Sequence, residues 1–328
     1  MKNLKVGVIG VGYLGKFHAR KYADLDSVEL VGVADTDPDR GGVVAEECGC
    51  RAFIDYKELL ALVDAVSIAV PTIYHFEVAG SCIAAGVDLL LEKPMTETLA
   101  EADELIRLAA EKKLILQIGQ LERFNPAVQA IEPFLTTPAF IESNRIATFK
   151  NRGVDVDVVL DLMIHDIDII LNIIKSPLKT IHTVGAPVVT STTDIANARL
   201  MFENGATANV TVSRISMSNK RKMRIFQPGS YITVDFGNRK VMTVKLSDDL
   251  MASGMPKPDI QIRTFTDGDS LKGEIVSFIH HVRERTKPAV SGEQGRRALA
   301  VALQVIEQIK EHQQLDLFKD LITPSVNE

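Results

Sequence analysis

The sequence has 328 residues, of which 46% are hydrophobic and 24% charged, with a formal net charge of −6. That length suits two domains with separate cores, and the acidic balance argues against nucleic acid as the main partner. No apolar run is long enough to span a bilayer, and strand-like sequence begins by Lys5, so neither a membrane segment nor a leader is expected and the cytoplasm is the default location.

The first strand is read at residues 4–9, through Val6, Val8 and Ile9, and it runs into Gly10, Gly12 and Gly15. This is the G-x-G-x-x-G spacing, with Tyr13 and Leu14 inside it and a helix over residues 13–24. In a dinucleotide turn Gly10 permits the tight bend, Gly12 lets the backbone approach a pyrophosphate, and Gly15 lets helix and strand pack closely. The helix N-terminus then offers N–H groups and a positive dipole end to the phosphates. A second apolar run, residues 28–34, ends at Asp35, 20 residues after Gly15. A carboxylate there accepts hydrogen bonds from the adenosine ribose and repels a 2′-phosphate. NAD is therefore expected over NADP, although Arg40 is close enough in sequence to meet a phosphate.

Helices and strands go on alternating. Helices are read at residues 38–48, 56–62, 74–85 and 98–112, and strands from Ala52, at 65–70, 87–91 and 114–118. Such alternation predicts a doubly wound parallel sheet, with ligands beyond the carboxyl ends of its strands. Three groups lie at those ends: Pro71-Thr72 with Tyr74-His75, then Glu92-Lys93-Pro94, then residues 117–120. A lysine directly after a buried run is either a half-desolvated proton donor and acceptor or a snorkelling cation paired with Glu92. The residues alone leave both open. Cys48, Cys50 and Cys82 have no His or Cys set near them and read as plain thiols of a reducing compartment.

Arg123-Phe124-Asn125-Pro126 ends the parallel pattern, which puts the domain boundary near residue 120. Residues 157–175 read as an almost wholly apolar helix that nevertheless carries Asp161, His165, Asp166 and Asp168. Asp161 and His165 are four apart and share a face, so the carboxylate can orient the imidazole for acid–base work. A metal on Asp161, His165 and Asp168 is geometrically allowed, but no further ligand cluster is visible, and none is expected. Strands at 196–203 and 206–213 flank Asn204-Gly205, a hairpin turn, and a meander follows over 221–227, 231–236 and 239–245. Arg145, Lys150, Arg152, Arg214, Lys220, Arg221, Lys222 and Arg224 are either solvated strand-edge charges or hold a phosphorylated or nucleotide-linked sugar. Two helices, about 271–286 and 293–312, close the chain, with His280 and His281 read as structural. A wide antiparallel sheet leaves a face to cover, which predicts a homodimer or homotetramer.

The glycine turn, Asp35, the strand ending Ala69-Val70-Pro71-Thr72 with His75, Glu92-Lys93-Pro94, Gly119–Pro126 and Asp161–His165 together resemble the glucose–fructose oxidoreductase / inositol dehydrogenase (Gfo/Idh/MocA) family. The likeness extends to residues 288–298, and Gln120 departs from it, since many members have His there. It implies an α/β fold: a Rossmann domain over residues 1–120, then an α+β domain over 121–328 with a large, mostly antiparallel open sheet. It also implies an NAD(P)-dependent oxidoreductase acting on a sugar or polyol. Lys93, Asp161 and His165 match the family's catalytic lysine, aspartate and histidine, with the formal base open between Lys93 and His165. Tyr74 and His75 would flank the nicotinamide ribose, and Pro71, Thr72, Glu92 and Lys93 would line the cofactor. Arg123, Asn125, Arg152 and His165 would meet the substrate.

Overall fold

The computed structural model describes residues 3–149, 156–251 and 253–314, and the chain divides into two compact units. The first unit comprises the residues through Phe124 together with Asp269–Arg297. Its strands are β1 (Leu4–Ile9), β2 (Val28–Ala34), β3 (Arg51–Phe53), β4 (Ala65–Ile68), β5 (Asp88–Glu92) and β6 (Leu116–Gly119). They form one parallel sheet in the order β3-β2-β1-β4-β5-β6. Helices α1 (Gly15–Ala23), α2 (Pro38–Cys48), α3 (Tyr56–Leu60), α4 (His75–Ala85) and α5 (Leu99–Glu111) alternate with them. Every residue of β4, β5 and β6 is buried, as expected for parallel strands covered on both faces. Local signals start the helices: Asp37 accepts from the Arg40 N–H ahead of α2, and Thr98 with Glu101 forms a capping box on α5.

The boundary at residue 120 describes only one crossing of the chain between units. Helix α8, as it is numbered along the chain (Ser270–Glu284), belongs to the first unit, not to the one that surrounds it in sequence. Ile275, Phe278, Ile279 and Val282 make a stripe on α8 that joins the core of Val6, Val8, Tyr22 and Leu90. Polar ties fix it further: Lys21 pairs with Asp269 at 2.7 Å and Arg285 with Asp88 at 2.5 Å. An apolar stripe announces that a helix packs, but not which core receives it.

The second unit runs from Asn125 to Gly268 and resumes at Ala298. It contains α6 (Pro126–Gln129), β7 (Phe140–Thr148), α7 (Ile164–Ile173), and then β8 (Leu178–Ala186), β9 (Ile195–Phe202), β10 (Thr207–Ser216), β11 (Lys220–Gln227), β12 (Ser230–Asp235), β13 (Lys240–Leu250) and β14 (Pro256–Thr264). Helix α9 (Gly292–Gln313) contributes its residues from Ala298 on. The eight strands lie in the order β14-β13-β12-β11-β7-β10-β9-β8, antiparallel except for β7 beside β10. One face is apolar: Ala198, Leu200 and Phe202 of β9 and Val210 and Val212 of β10 share a core with Ile167 and Ile170 of α7 and Val305 and Ile309 of α9.

Strand β7 puts two polar side chains on that buried face. The Arg145 Nε donates to Asp166 Oδ2 at 2.7 Å, its Nη2 reaches Oδ1 at 3.3 Å, and the Ser143 hydroxyl donates to Oδ1 at 2.9 Å. Arg145 also lies over the Phe236 ring at 5.2 Å. This buried pair fastens α7 to the middle of the sheet. Asp166→Ala strands the guanidinium and is expected to destabilise by about 3–5 kcal/mol, whereas replacing both partners with apolar residues should restore much of the loss. Thermal unfolding of the two variants beside the unaltered protein checks both outcomes.

Candidate active site

The chain leaves β1 at Gly10, whose N–H donates to the Ala34 carbonyl at 2.8 Å. Gly10 has φ +81°, and a Cβ on it would stand 2.8 Å from Val70 Cγ1 and 2.9 Å from the Val70 nitrogen. A Cβ on Gly15 would lie 1.8 Å from the Gly10 carbonyl oxygen, so α1 can begin this close to β1 only from glycine. Gly12 differs, because a Cβ there would meet nothing within 4 Å. Its backbone borders an open groove of about 540 Å³ whose walls include Val11, Tyr13, Lys16, Arg40 and Val43. Strands β1 and β4 are neighbours in a 3-2-1-4-5-6 sheet, the switch point where such folds bind dinucleotides.

Asp35 stands at the end of β2 with its carboxylate fully engaged. Oδ2 accepts the Val11 N–H at 2.9 Å and Oδ1 the Asp37 N–H at 2.9 Å. The Arg40 guanidinium grips both oxygens, at 3.0 and 2.7 Å. Burial alone would push this carboxyl up, but the Arg40 hydrogen bond and the two backbone N–H groups outweigh it and hold Asp35 below the ordinary range. The residues fit a dinucleotide: backbone that a pyrophosphate can approach, and an ionised carboxylate for ribose hydroxyls. Arg40, which the sequence left as a possible phosphate ligand, is held by Asp35 and by Asp37 at 3.3 Å.

The ends of β4 and β5 complete this face. Pro71 is exposed, Thr72 opens a 3-10 turn over Thr72–Tyr74, and Tyr74 is half exposed. His75 is buried: its Nδ1 lies 2.9 Å from the Pro94 carbonyl and its Nε2 3.0 Å from that of Val70. Burial pushes its pKa down, against the opposing pull of both carbonyls and of Glu92. His75 thus staples the end of β4 to the bend at Pro94, and Tyr74 is the one of the two with accessible surface. Lys93 is half-buried directly beyond β5, and the Lys93–Pro94 peptide is cis. Glu92 turns inward, with Oε1 on His18 Nε2 at 3.0 Å. Sequence reasoning passed over His18. It sits on the Gly15–Ala19–Tyr22 side of α1, and a polar residue on an inward stripe was the available signal.

In the second unit, a π-helical turn (Val159–Met163) leads into α7. Asp161 and His165 are both half-buried and so accessible, whereas Asp166 and Asp168 are buried. Asp161, His165 and Asp168 do not form a ligand cluster; among the described residues the group close enough is His18, Glu92 and Glu274. Arg123 is half-buried in a 3-10 turn (Leu121–Phe124). Asn125 is buried: its Oδ1 accepts from the Ala127 N–H to cap α6, and its Nδ2 donates to the Phe236 carbonyl at 3.2 Å. Lys150 and Arg152 lie outside the described residues. The basic cluster divides. Arg145 is spent on Asp166, and buried Arg214 donates to the Val156 and Thr193 carbonyls at 2.6 and 2.8 Å. Lys222 pairs with Asp235, and Arg224 pairs with Glu142 while lying 4.8 Å over Phe226. Both buried arginines are engaged by the protein itself.

A family profile described as an oxidoreductase family with an NAD-binding Rossmann fold matches residues 4–120, and the GFO/IDH/MocA C-terminal domain matches residues 140–229. The UDP-N-acetylglucosamine 3-dehydrogenase of Acidithiobacillus ferrooxidans is 40% identical over 306 residues, covering 93% of this chain and 97% of that protein. A solved structure of that dehydrogenase superposes with a TM-score of 0.89 at 39% identity, over 96% of this chain and all of the other. The myo-inositol 2-dehydrogenase of Thermotoga maritima is 26% identical over 334 residues, covering 96% of this chain and 98% of that protein. A glycine turn built for a pyrophosphate, an ionised Asp35 and both family domains lead to one conclusion: the chain belongs to the Gfo/Idh/MocA family of NAD-binding oxidoreductases.

Proposed function

We propose that this protein is an NAD-dependent dehydrogenase that oxidises the 3-hydroxyl of UDP-N-acetylglucosamine to the ketone. The observation that carries the substrate is the contrast in likeness, 40% to the nucleotide-sugar enzyme against 26% to the inositol enzyme, each over nearly the whole chain. NAD, when bound, supplies the hydride acceptor. His165 takes the proton of the hydroxyl, and Asp161, one turn earlier, orients the imidazole and stabilises its charged form. Lys93 donates a hydrogen bond to the oxygen as it gains charge. Substrate recognition in this reading falls to Arg123, Arg152 and His165, with Asn125 acting through the fold. The enzyme works in the cytoplasm, ahead of an aminotransferase that uses the ketone in forming amide-linked lipid A.

Lys93→Met and His165→Ala are each expected to lower kcat by about a hundredfold or more, and Asp161→Asn by about tenfold. NADH formation with UDP-sugars, free sugars and inositols checks the substrate. Turnover confined to inositols would reject the nucleotide sugar, and silence with every donor would favour a non-catalytic NAD sensor.

The cofactor preference has its own test. Asp35→Asn removes the charge that repels a 2′-phosphate and releases Arg40 to pair with one. The ratio of kcat/KM for NAD to that for NADP is expected to fall by about tenfold or more. An unchanged ratio would reject Asp35 as the selector.

The sheet face opposite α7 and α9 carries the stacked rings of Phe140 and Phe226, tilted Tyr231, and exposed Val184, Ile260 and Ile262. A second copy of the chain is the proposed cover, as a homodimer or homotetramer. Light scattering that returned the mass of one chain would overturn it.

A further inference from the structure

Three polar side chains that the reading above leaves unused meet inside the first unit. His18 on α1, Glu92 on β5 and Glu274 on α8 bring ligand-type atoms within 4.8 Å of one another, and all three residues are buried. His18 and Glu274 are 0% exposed. The same elements give Tyr22, Leu90, Ile275 and Phe278 to one apolar core. Two carboxyl groups in such a place need an account.

Glu92 divides its oxygens between two donors. Oε1 takes the hydrogen on His18 Nε2 at 3.0 Å, and Oε2 accepts the Lys93 N–H at 3.3 Å. Gly119 on β6 leaves it room, since a Cβ there would stand 3.0 Å from Glu92 Cδ and Oε1. Glu274 is different, for neither of its oxygens has a hydrogen-bond partner among the described residues. A buried carboxylate without donors is too costly to keep ionised. Burial, together with the charge on Glu92, raises the Glu274 pKa well above the carboxylate range. Tyr22, in the same core, is pushed up by burial and has its hydroxyl 2.8 Å from that of Ser67. Glu274 is therefore a neutral acid with an O–H to give, and the Glu92 carboxyl group lies beside it.

We propose that Glu274 is a positioning residue: as a buried proton donor it fixes the Glu92 carboxylate and, through the Lys93 N–H, the backbone that presents Lys93. His75 holds the same bend from its other side, through the Pro94 carbonyl. The proposal rests on the reading of Lys93 as the group that meets the substrate oxygen.

Glu274→Gln keeps a donor of the same shape and should retain kcat within about twofold, whereas Glu274→Leu keeps the volume without the donor and should lose about tenfold in kcat. The KM for NAD should not move, and the Tm of Glu274→Leu should equal or exceed that of the natural protein, because an uncompensated polar group has gone. Glu274→Leu added to Glu92→Gln should cost nothing beyond Glu92→Gln alone. Unchanged kcat in Glu274→Leu overturns the proposal, as do a loss of kcat that tracks a fall in Tm and additive losses in the double variant. A stoichiometric divalent metal in the purified protein, absent from Glu274→Gln, also overturns it, in favour of a cation site. Lys93→Met separates the two readings: full activity in that variant rejects both, whereas its loss beside an intact Glu274→Leu rejects only the role of Glu274.

Discussion

The ligand face of the first unit depends on how closely the ends of β1, β2 and β4 can approach. The limit is set by atoms that are missing: a Cβ at Gly15 would sit 1.8 Å from the Gly10 oxygen, and one at Gly10 would strike Val70. With those atoms absent, the Gly10 N–H reaches the Ala34 carbonyl and the Val11 N–H reaches the Asp35 carboxylate. Turn, acidic residue and helix start become one hydrogen-bonded object. The sharp difference between Gly10 and Gly15, which are crowded, and Gly12, which is open, separates glycines that the fold requires from the one that leaves room for a ligand.

Buried charge is handled by the same device in both units, a carboxylate surrounded by donors. Asp35 has Arg40 and two backbone N–H groups, and Asp166 has Arg145 and Ser143. Asp194 accepts three consecutive N–H groups, from Val188, Val189 and Thr190. Burial works against the charge of Asp194, and those N–H groups outweigh it and hold its pKa down. Glu274 is the exception, and it lies beside Glu92. A buried carboxyl group without a hydrogen-bond partner among the described residues is where a role beyond packing is best sought.

The first sheet was legible because its strands β4, β5 and β6 are buried on both faces, so they read as unbroken apolar runs such as Leu89–Leu91. The second sheet was legible only in part. The hairpin at Asn204-Gly205 and the meander after it showed, but β7, β8 and β14 did not. Inward positions of β7 include Ser143 and Arg145, whose partner Asp166 is supplied by a helix, so no apolar alternation survives. β8 inverts the pattern, with Thr183 buried and Val184 exposed. β14 is exposed throughout and carries Pro256 and Pro258, which an edge strand tolerates and a sequence reader takes as breaks. In the site, residues at strand ends could be placed from the alternation alone. Asn125 could not, because a helix cap and a substrate ligand look alike until the fold shows which N–H groups need a partner. His18 and Glu274 stayed hidden, since their meeting depends on α8 coming back 150 or so residues later.

Cofactor choice and turn geometry are consequently not independent here. Asp35, the carboxylate proposed to meet the ribose, also holds the Val11 N–H of the glycine turn. An apolar side chain at 35 would remove the repulsion toward a 2′-phosphate but would also leave that N–H buried and unpaired, at a cost of about 1–3 kcal/mol. A neutral acceptor keeps the turn and still discharges the site, which separates the electrostatic part of cofactor selection from its structural part. The ion pair adds a second coupling, because Arg40 loses its closer partner when Asp35 is uncharged and keeps Asp37 at 3.3 Å. Removing one negative charge therefore also releases a positive one beside the place where a 2′-phosphate would sit. Two changes of the same sign follow from a single substitution, so position 35 carries more of the discrimination than a lone carboxylate would.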